Sequence, residues 1–214
     1  MAEPDRQALL TMLTTEHFTL QGSRSTTVSE TSSRAALYMG AVSSTLIALG
    51  FIAQVSKLGD AFDIFALTVL PTVFALGLFT FVRTVESSVE DILYGRAINR
   101  IRAYYLEAAG PESRLFVLGG HDDALGVLAN MGIRPSRWQL YFTVSNMVAT
   151  VNSVVGGSAV ALAIGRLLDS RLGVAAGVGA LAAAASFALH RRWDRRLHQR
   201  SGGHHEVLFP TPEA

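Results

Sequence analysis

One short run of residues combines the side chains of a metal site. His121-Asp122-Asp123 places an imidazole beside two carboxylates, and these groups together bind divalent cations. No second His or Glu cluster lies at a supporting spacing, so a structural role is favoured. We predict that Asp122 or Asp123 caps the N-terminus of a short helix that follows.

Other signatures of catalysis are missing from the sequence. Glu16-His17 lacks the second His of a zinc-protease helix, and there is no nucleophile elbow, phosphate loop or dinucleotide fingerprint. Cysteine is absent, which excludes disulfides, thiolate chemistry and Cys-based metal sites. The sequence therefore predicts a non-enzymatic protein with no cofactor and no metal.

A row of neutral polar residues interrupts an otherwise apolar stretch. Asn146, Thr150, Ser153 and Gly157 are spaced i, i+4, i+7 and i+11, which places them on one face of a helix, with Asn152 to one side. Such a face either lets helices approach and hydrogen-bond or lines a wet path. Helix packing is the commoner use, and both interpretations stay open here.

Two further features concern helix contacts and helix shape. Gly173 and Gly177 form a GxxxG pattern, which predicts a close helix crossing and an oligomer contact. Pro71 lies inside a second apolar stretch and removes one backbone donor from it. A mild helix kink at Pro71 is the structural interpretation, and a hinge that gates a pathway is the functional one.

The polar face, the GxxxG pair and Pro71 all lie in long stretches that contain no Asp, Glu, Lys or Arg, and the chain has four such stretches. They are 19 to 28 residues long and cover 35–56, 64–82, 138–165 and 172–190. About 20 apolar residues are needed to cross roughly 30 Å of hydrocarbon as a helix. Charged residues make up 16% of the chain and all lie outside these stretches, which argues against a soluble domain. The predicted fold is an all-α integral membrane protein with four transmembrane helices as two hairpins and cytoplasmic helical extensions.

The distribution of basic residues predicts the topology. Segments 1–34, 83–137 and 191–214 hold 15 arginines, whereas the connecting loops hold only Lys57, Arg166 and Arg171. The positive-inside bias places both termini and the middle segment 83–137 in the cytoplasm. Lys57 is the only lysine among the 18 basic residues, and this preference for arginine is typical of GC-rich bacterial genomes, so we expect the inner membrane of a bacterium. The net charge of +1 gives no strong positive field that would attract nucleic acid. The four apolar stretches make the lipid bilayer the expected partner.

The chain is therefore expected to consist of five segments. They are a cytoplasmic N-terminal helical segment (1–34), a first transmembrane hairpin (35–82), a cytoplasmic helix and connector (83–137), a second hairpin (138–190) and a basic cytoplasmic tail (191–214). We expect the second span to continue as a helix to Gly110-Pro111 and its apolar stripe, with Ile92 and Ile101, to pack against the N-terminal segment. Residues 201–214 are expected to be disordered.

Part of the sequence resembles a known group. Residues 13–18 (LTTEHF), 50–54 (GFIAQ) and 88–100, which begin SVED, look like a group of small actinobacterial membrane proteins over about the first half of the chain. That resemblance implies no activity. The order of an N-terminal helix, a two-span hairpin and a cytoplasmic helix is similar to SLATT-type membrane effectors of bacterial conflict systems. This architectural similarity implies oligomerisation into a pore upon a nucleotide or infection signal, although the second hairpin departs from the two-span pattern.

Two functions remain as hypotheses. The first is a non-enzymatic scaffold or oligomerising interaction protein of the inner membrane, acting as a homo-oligomer. The second is a channel or pore-forming effector lined by the third transmembrane helix. We prefer the first because polar faces that pack helices are commoner than polar faces that line pores.

Overall fold

The computed structural model describes residues 3–133, 142–168, 171–202 and 206–212. Its five α-helices are α1 (Glu3–Ser56), α2 (Asp60–Ala109), α3 (Ala124–Asn130), α4 (Val144–Leu167) and α5 (Leu172–Gly202). A 3-10 helix, Gly110–Leu115, follows α2, and no strand occurs among the described residues. The predicted all-α fold is confirmed.

Four of the helices are long and apolar enough to cross a membrane. The most apolar 18-residue windows of α1, α2, α4 and α5 have mean hydropathy values of 1.8, 2.2, 1.8 and 1.9. The predicted stretches 35–56, 64–82 and 172–190 lie within α1, α2 and α5. Helix α4 begins at Val144, where the Thr143 side chain accepts the Asn146 N–H as a cap. The predicted first residue of that span, Trp138, lies outside the described residues.

The helices contribute to two compact units. Unit 1 contains the described residues of Met1–Glu30, Ser87–Leu140 and Arg200–Ala214. Unit 2 contains those of Thr31–Glu86 and Tyr141–Gln199. Helices α1 and α2 each supply residues to both units, whereas α3 belongs to unit 1 and α4 to unit 2.

The core of unit 2 is an apolar cluster supplied by α1, α2 and α4. Its buried members are Ala35, Tyr38, Val42, Ala66, Leu70, Val73, Phe81, Val85, Val148, Ala149 and Val155. Lipid tails are as apolar as these side chains, so in a bilayer close packing and hydrogen bonds, rather than escape from water, hold such helices together. The buried polar residues of the same helices, such as Asn146, Asn152 and Ser153, therefore decide much of the specificity of packing.

A three-residue turn joins α1 to α2 within unit 2. Lys57 and Leu58 have φ of 48° and 60°, a left-handed conformation that side chains rarely adopt. The Arg166 guanidinium donates to the Leu58 carbonyl at 2.8 Å and pairs with Asp63 at 3.0 Å. This arginine thereby fixes the α1–α2 turn to the C-terminal end of α4.

Helix α2 passes through Pro71 without ending. The helix runs from Asp60 to Ala109 with Pro71 inside it. The Thr68 and Thr72 hydroxyls donate to the carbonyls of Ile64 and Thr68, at 2.7 and 2.8 Å. These bonds occupy backbone acceptors next to the turn that the proline interrupts. The hinge interpretation stays a prediction.

The end of α2 and the start of α3 follow the sequence signals. Gly110 has a φ of 54°, the left-handed conformation typical of a helix end, and proline follows it. The Asp123 carboxylate accepts the Gly126 N–H at 2.7 Å and caps α3. The predicted helix end at Gly110-Pro111 and the predicted cap are both confirmed, the cap at the second aspartate.

Helix α2 contacts α1 in unit 1 through an ion pair. Ile101 is buried and Ile92 is half-buried. The Arg24 guanidinium pairs with the Asp91 carboxylate across the two helices, with Nε 2.7 Å from Oδ1 and Nη2 3.2 Å from Oδ2. A bidentate pair of this kind fixes orientation as well as distance. The N-terminal segment therefore contacts α2 at Asp91, and packing of the apolar stripe against that segment stays a prediction.

The expectation of a disordered C-terminal tail is wrong for residues 206–212. Helix α5 continues to Gly202, and the backbone of 206–212 lies against Asp122 and Asp123 in unit 1. Composition rich in Gly, His and Pro indicates only that the segment forms no regular helix or strand. Its backbone N–H groups still need acceptors, and here the two carboxylates supply them.

Candidate functional site

The polar row predicted on the third span divides into buried and exposed members. Asn146, Ser153 and Gly157 on α4 are buried, whereas Thr150 is exposed. The Thr150 hydroxyl donates to the carbonyl of Asn146 at 2.8 Å, within its own helix. Three of the four residues therefore face neighbouring helices, and Thr150 faces outward from unit 2.

Asn146 receives a hydrogen bond from α5. Arg191 Nη1 donates to Asn146 Oδ1 at 2.9 Å, and the same nitrogen lies 3.4 Å from Asp194 Oδ2. The Arg191 side chain is only 12% exposed, so this contact lies within the packed unit. A charged donor makes such a bond stronger than one between neutral groups. The first turn of α4 is in this way fastened to α5.

Ser153 is linked to α5 through a second polar contact. Its hydroxyl donates to Ser186 Oγ at 3.3 Å, and His190 Nδ1 lies 2.7 Å from the Ser186 carbonyl oxygen. A carbonyl only accepts, so Nδ1 carries the proton. The buried Nε2 of His190 has no hydrogen-bond partner among the described residues, and the Phe81 ring meets the imidazole edge-on at 4.5 Å between centroids.

The contact between Ser186 and His190 does not form an activated nucleophile. The Nδ1 of His190 is 3.5 Å from Ser186 Oγ, but that nitrogen already donates its proton to a carbonyl. A general base needs a free nitrogen toward the hydroxyl and a group that orients its ring. In the described part of the chain no group of three or more His, Asp or Glu could hold a metal. The geometry fits interhelical hydrogen bonding.

The most deeply buried polar contact joins α1 to α4. The Tyr38 hydroxyl donates to Asn152 Oδ1 at 3.0 Å, and the two side chains are 1% and 0% exposed. Asn152 Nδ2 is buried and has no partner among the described residues. A Cβ built at Gly77 of α2 would lie 2.1 Å from Asn152 Oδ1 and 2.7 Å from the Tyr38 oxygen. Three helices therefore converge here, and only glycine fits at position 77.

Sequence reasoning missed this three-helix contact. Asn152 was placed beside the polar face, and neither Tyr38 nor Gly77 was singled out. Two signals pointed to them. A tyrosine in an apolar span needs a partner for its hydroxyl, and glycine inside a helix costs about 1 kcal/mol relative to alanine unless something requires it.

Glycines also set the contact between α4 and α5. A Cβ at Gly157 would lie 2.6 Å from the Gly179 carbonyl oxygen, and one at Gly179 would lie 2.7 Å from the Gly157 carbonyl oxygen. No described atom lies within 4 Å of a Cβ built at Gly173 or Gly177, and both are exposed. The prediction that Gly173 and Gly177 contact another helix therefore applies to a helix of a second copy of the chain, and it stays a prediction.

A separate polar cluster in unit 1 binds the C-terminal tail. The fully buried Asp122 carboxylate accepts the N–H groups of Leu208 and Phe209 at 3.1 and 2.8 Å. It also pairs with Arg100 at 2.7 Å. The Asp123 carboxylate accepts the Thr211 N–H and hydroxyl, each at 2.8 Å. We call Asp122 and Asp123 with these donors the tail clamp.

Hydrogen bonding determines the charge state of the clamp. Burial by itself raises the pKa of the Asp122 carboxyl, but the bonds from Phe209, Arg100 and Leu208 outweigh it, so the pKa lies below its ordinary value of 3.8. For Asp123, burial is likewise outweighed by bonds from Thr211 and Gly126, and its pKa is also lowered. Both carboxylates are ionised at neutral pH and act as acceptors only.

The chain was compared with protein families, curated proteins and solved structures. No family model, no curated protein and no solved structure matches this chain.

Proposed function

We propose that the chain is a non-enzymatic scaffold of the bacterial inner membrane, which acts as a homo-oligomer. Its four long apolar helices form two transmembrane hairpins, and both termini with their helical extensions lie in the cytoplasm. The single observation that carries the proposal is the Tyr38–Asn152 hydrogen bond beside Gly77, because it uses polar groups to join helices. Its proposed partners are the lipid bilayer and further copies of the chain.

The contacts of unit 2 support the proposed threading. Arg166 binds the turn between α1 and α2, so residues near 58 and 166 lie at one end of the unit. Phe81 packs against His190 and Trp193, so the middle of α2 and the second half of α5 also meet. An arrangement of four antiparallel spans produces both pairings, and the arginine-rich segments then lie on one side of the membrane.

The polar row of α4 supports a scaffold more than a pore. Asn146 and Ser153 are hydrogen-bonded to α5, and Gly157 lies against the backbone of Gly179. A pore-lining face would direct such groups into a wet channel. Here they are used for packing, which is their commoner role in membranes.

Replacement of Asn146 tests this assignment. Asn146→Leu removes an interhelical hydrogen bond, worth on average about 0.6 kcal/mol in membranes, and adds bulk to a close contact. The scaffold proposal expects a lower melting temperature or weaker assembly in detergent and no change in liposome ion flux. The control is Thr150→Val, which alters an exposed residue of the same helix. Ion flux that changes with residue 146 at unchanged stability would contradict the scaffold.

The alternative is a pore-forming effector lined by α4. One observation favours it: Asn152 Nδ2 and His190 Nε2 are buried polar atoms without a partner among the described residues, and water along α4 would satisfy both. The architectural similarity to SLATT-type effectors belongs with this alternative. It expects wild-type flux in liposomes, and Asn146→Asp should shift that flux towards cations because carboxylates attract them.

A further inference from the structure

Unit 1 contains a cavity, wide open to solvent, whose polar lining the tail clamp does not use. The cavity has a volume of about 620 Å³ and lies between the first helix, the second helix and the α3 region. Its charged lining residues are Arg24, Asp91 and Arg102. A volume of this size is within the range that holds small organic ligands.

The charges of the cavity do not balance. Arg24 forms its bidentate pair with Asp91, whose side chain is 14% exposed. That leaves Arg102, which no described carboxylate pairs with. Arg24 and Arg102 carry like charges at a range where they repel. The cavity therefore has a net positive charge of one, and an anion within it would relieve that repulsion.

Arg102 is oriented by one neutral acceptor, the buried side chain of Asn99. Its Nη1 donates to Asn99 Oδ1 at 3.1 Å, and Asn99 is only 2% exposed. Asn99 in turn donates to the His121 carbonyl at 2.8 Å and accepts from Asn130 Nδ2 at 2.8 Å. A guanidinium has five N–H donors, and Asn99 is the acceptor of one of them. The arginine is thus positioned before any ligand arrives, which lowers the entropy cost of binding.

The remaining wall of the cavity has two characters. Gln21, Ser25 and Ser29 of α1 supply neutral hydrogen-bonding groups, and Val28, Leu118 and Met131 supply exposed apolar surface. Inorganic phosphate alone would leave that apolar surface unused. A ligand with an anionic group and an apolar body would satisfy both parts.

We propose that this cavity binds a small organic anion, in which a phosphate or carboxylate pairs with Arg102 and an apolar body lies against Leu118 and Met131. The site is in unit 1, so it is independent of whether unit 2 acts as a scaffold or a pore. Charge-assisted bonds from a guanidinium to an oxyanion are the stronger kind of hydrogen bond and provide most of the selectivity.

Binding is tested on the full chain in detergent by calorimetric titration with four probes. They are phenyl phosphate, benzoate, inorganic phosphate and benzamide. We expect phenyl phosphate or benzoate to bind, inorganic phosphate to bind at least about 10-fold more weakly, and the neutral benzamide not to bind. Absence of binding by both organic anions, or equal binding of inorganic phosphate or benzamide, would overturn the proposal.

Two matched pairs of variants locate the site. Arg102→Gln removes the unpaired charge and should weaken binding about 10-fold or more, whereas Arg114→Gln removes an exposed charge outside the cavity and should have no effect. Gln21→Glu keeps the shape of the side chain and adds a carboxylate to the lining, so it should also weaken binding. Gln7→Glu makes the same change on α1 outside the cavity.

The pair Gln21→Glu and Gln7→Glu tests the site even if Arg102→Gln does not fold. If Arg102→Gln unfolds, anion binding can still be measured with Gln21→Glu, because that substitution removes none of the contacts of Arg102. Binding that is equal in Gln21→Glu and Gln7→Glu would place the anion elsewhere and overturn the assignment.

Discussion

Asp122 and Phe209, which lie 87 residues apart in the chain, are joined by two reciprocal hydrogen bonds. The Asp122 N–H donates to the Phe209 carbonyl at 3.0 Å, and the Asp122 carboxylate accepts the Phe209 N–H at 2.8 Å. This pairing satisfies four polar groups at once, and it binds a segment that has no helix or strand of its own. The tail of the chain is therefore a structural part of unit 1.

The first prediction concerns the tail clamp. Asp122→Asn removes the ion pair with Arg100 and places an amide donor against either the Arg100 guanidinium or the backbone N–H groups of the tail. Unit 1 should therefore lose about 1–3 kcal/mol of stability. Hydrogen exchange of the 206–212 amides, measured by mass spectrometry, should become faster. Glu112→Gln is the control, because its side chain is 63% exposed. Equal protection of 206–212 in both variants would mean that Asp122 does not hold the tail.

The second prediction concerns pH. The folded-state pKa of Asp122 is depressed, so its contribution to stability is fully present above the unfolded value of about 3.8 and is lost as the pH falls through the folded value. The difference in unfolding free energy between wild type and Asp122→Asn should be constant from pH 7 to about pH 5. It should shrink as the pH falls below 3.8, as measured by denaturant titration. A difference that grows at low pH would contradict this sign.

The third prediction concerns Gly77. Gly77→Ala places a methyl group 2.1 Å from Asn152 Oδ1, so the three helices must separate or the hydrogen bond from Tyr38 must break. Overpacking of this kind costs about 1–3 kcal/mol, and the melting temperature in detergent should fall. Gly40→Ala is the matched control, because no described atom lies within 4 Å of its built Cβ. Similar melting temperatures for both variants would show that the contact is looser than described.

The fourth prediction concerns topology. The chain has no cysteine, so single cysteines can be introduced without altering a native thiol. Ser113→Cys should react only with reagents that reach the cytoplasm, and Ala61→Cys should react with a membrane-impermeant reagent added outside intact cells. Labelling of position 113 from outside would exclude the proposed four-span arrangement.

The sequence by itself determined the helical class and the number of candidate spans. Charge-free stretches of sufficient length, the break at Gly110-Pro111 and the cap at Asp123 are local signals, since each depends on residues within a few positions of one another. The charge distribution likewise predicted one topology, because it depends only on counts in each segment. These features needed no knowledge of how the helices pack.

Only the tertiary structure decided which polar residues meet. Tyr38 and Asn152 are 114 residues apart, and helical periodicity places a residue on a face without saying which helix covers that face. The sequence also could not predict that Ser153 is buried and Thr150 exposed, because both residues lie on the same predicted helix face. The ordered tail depends on acceptors far away in the chain. Contacts between distant segments follow from packing geometry, and hydropathy patterns carry no information about that geometry.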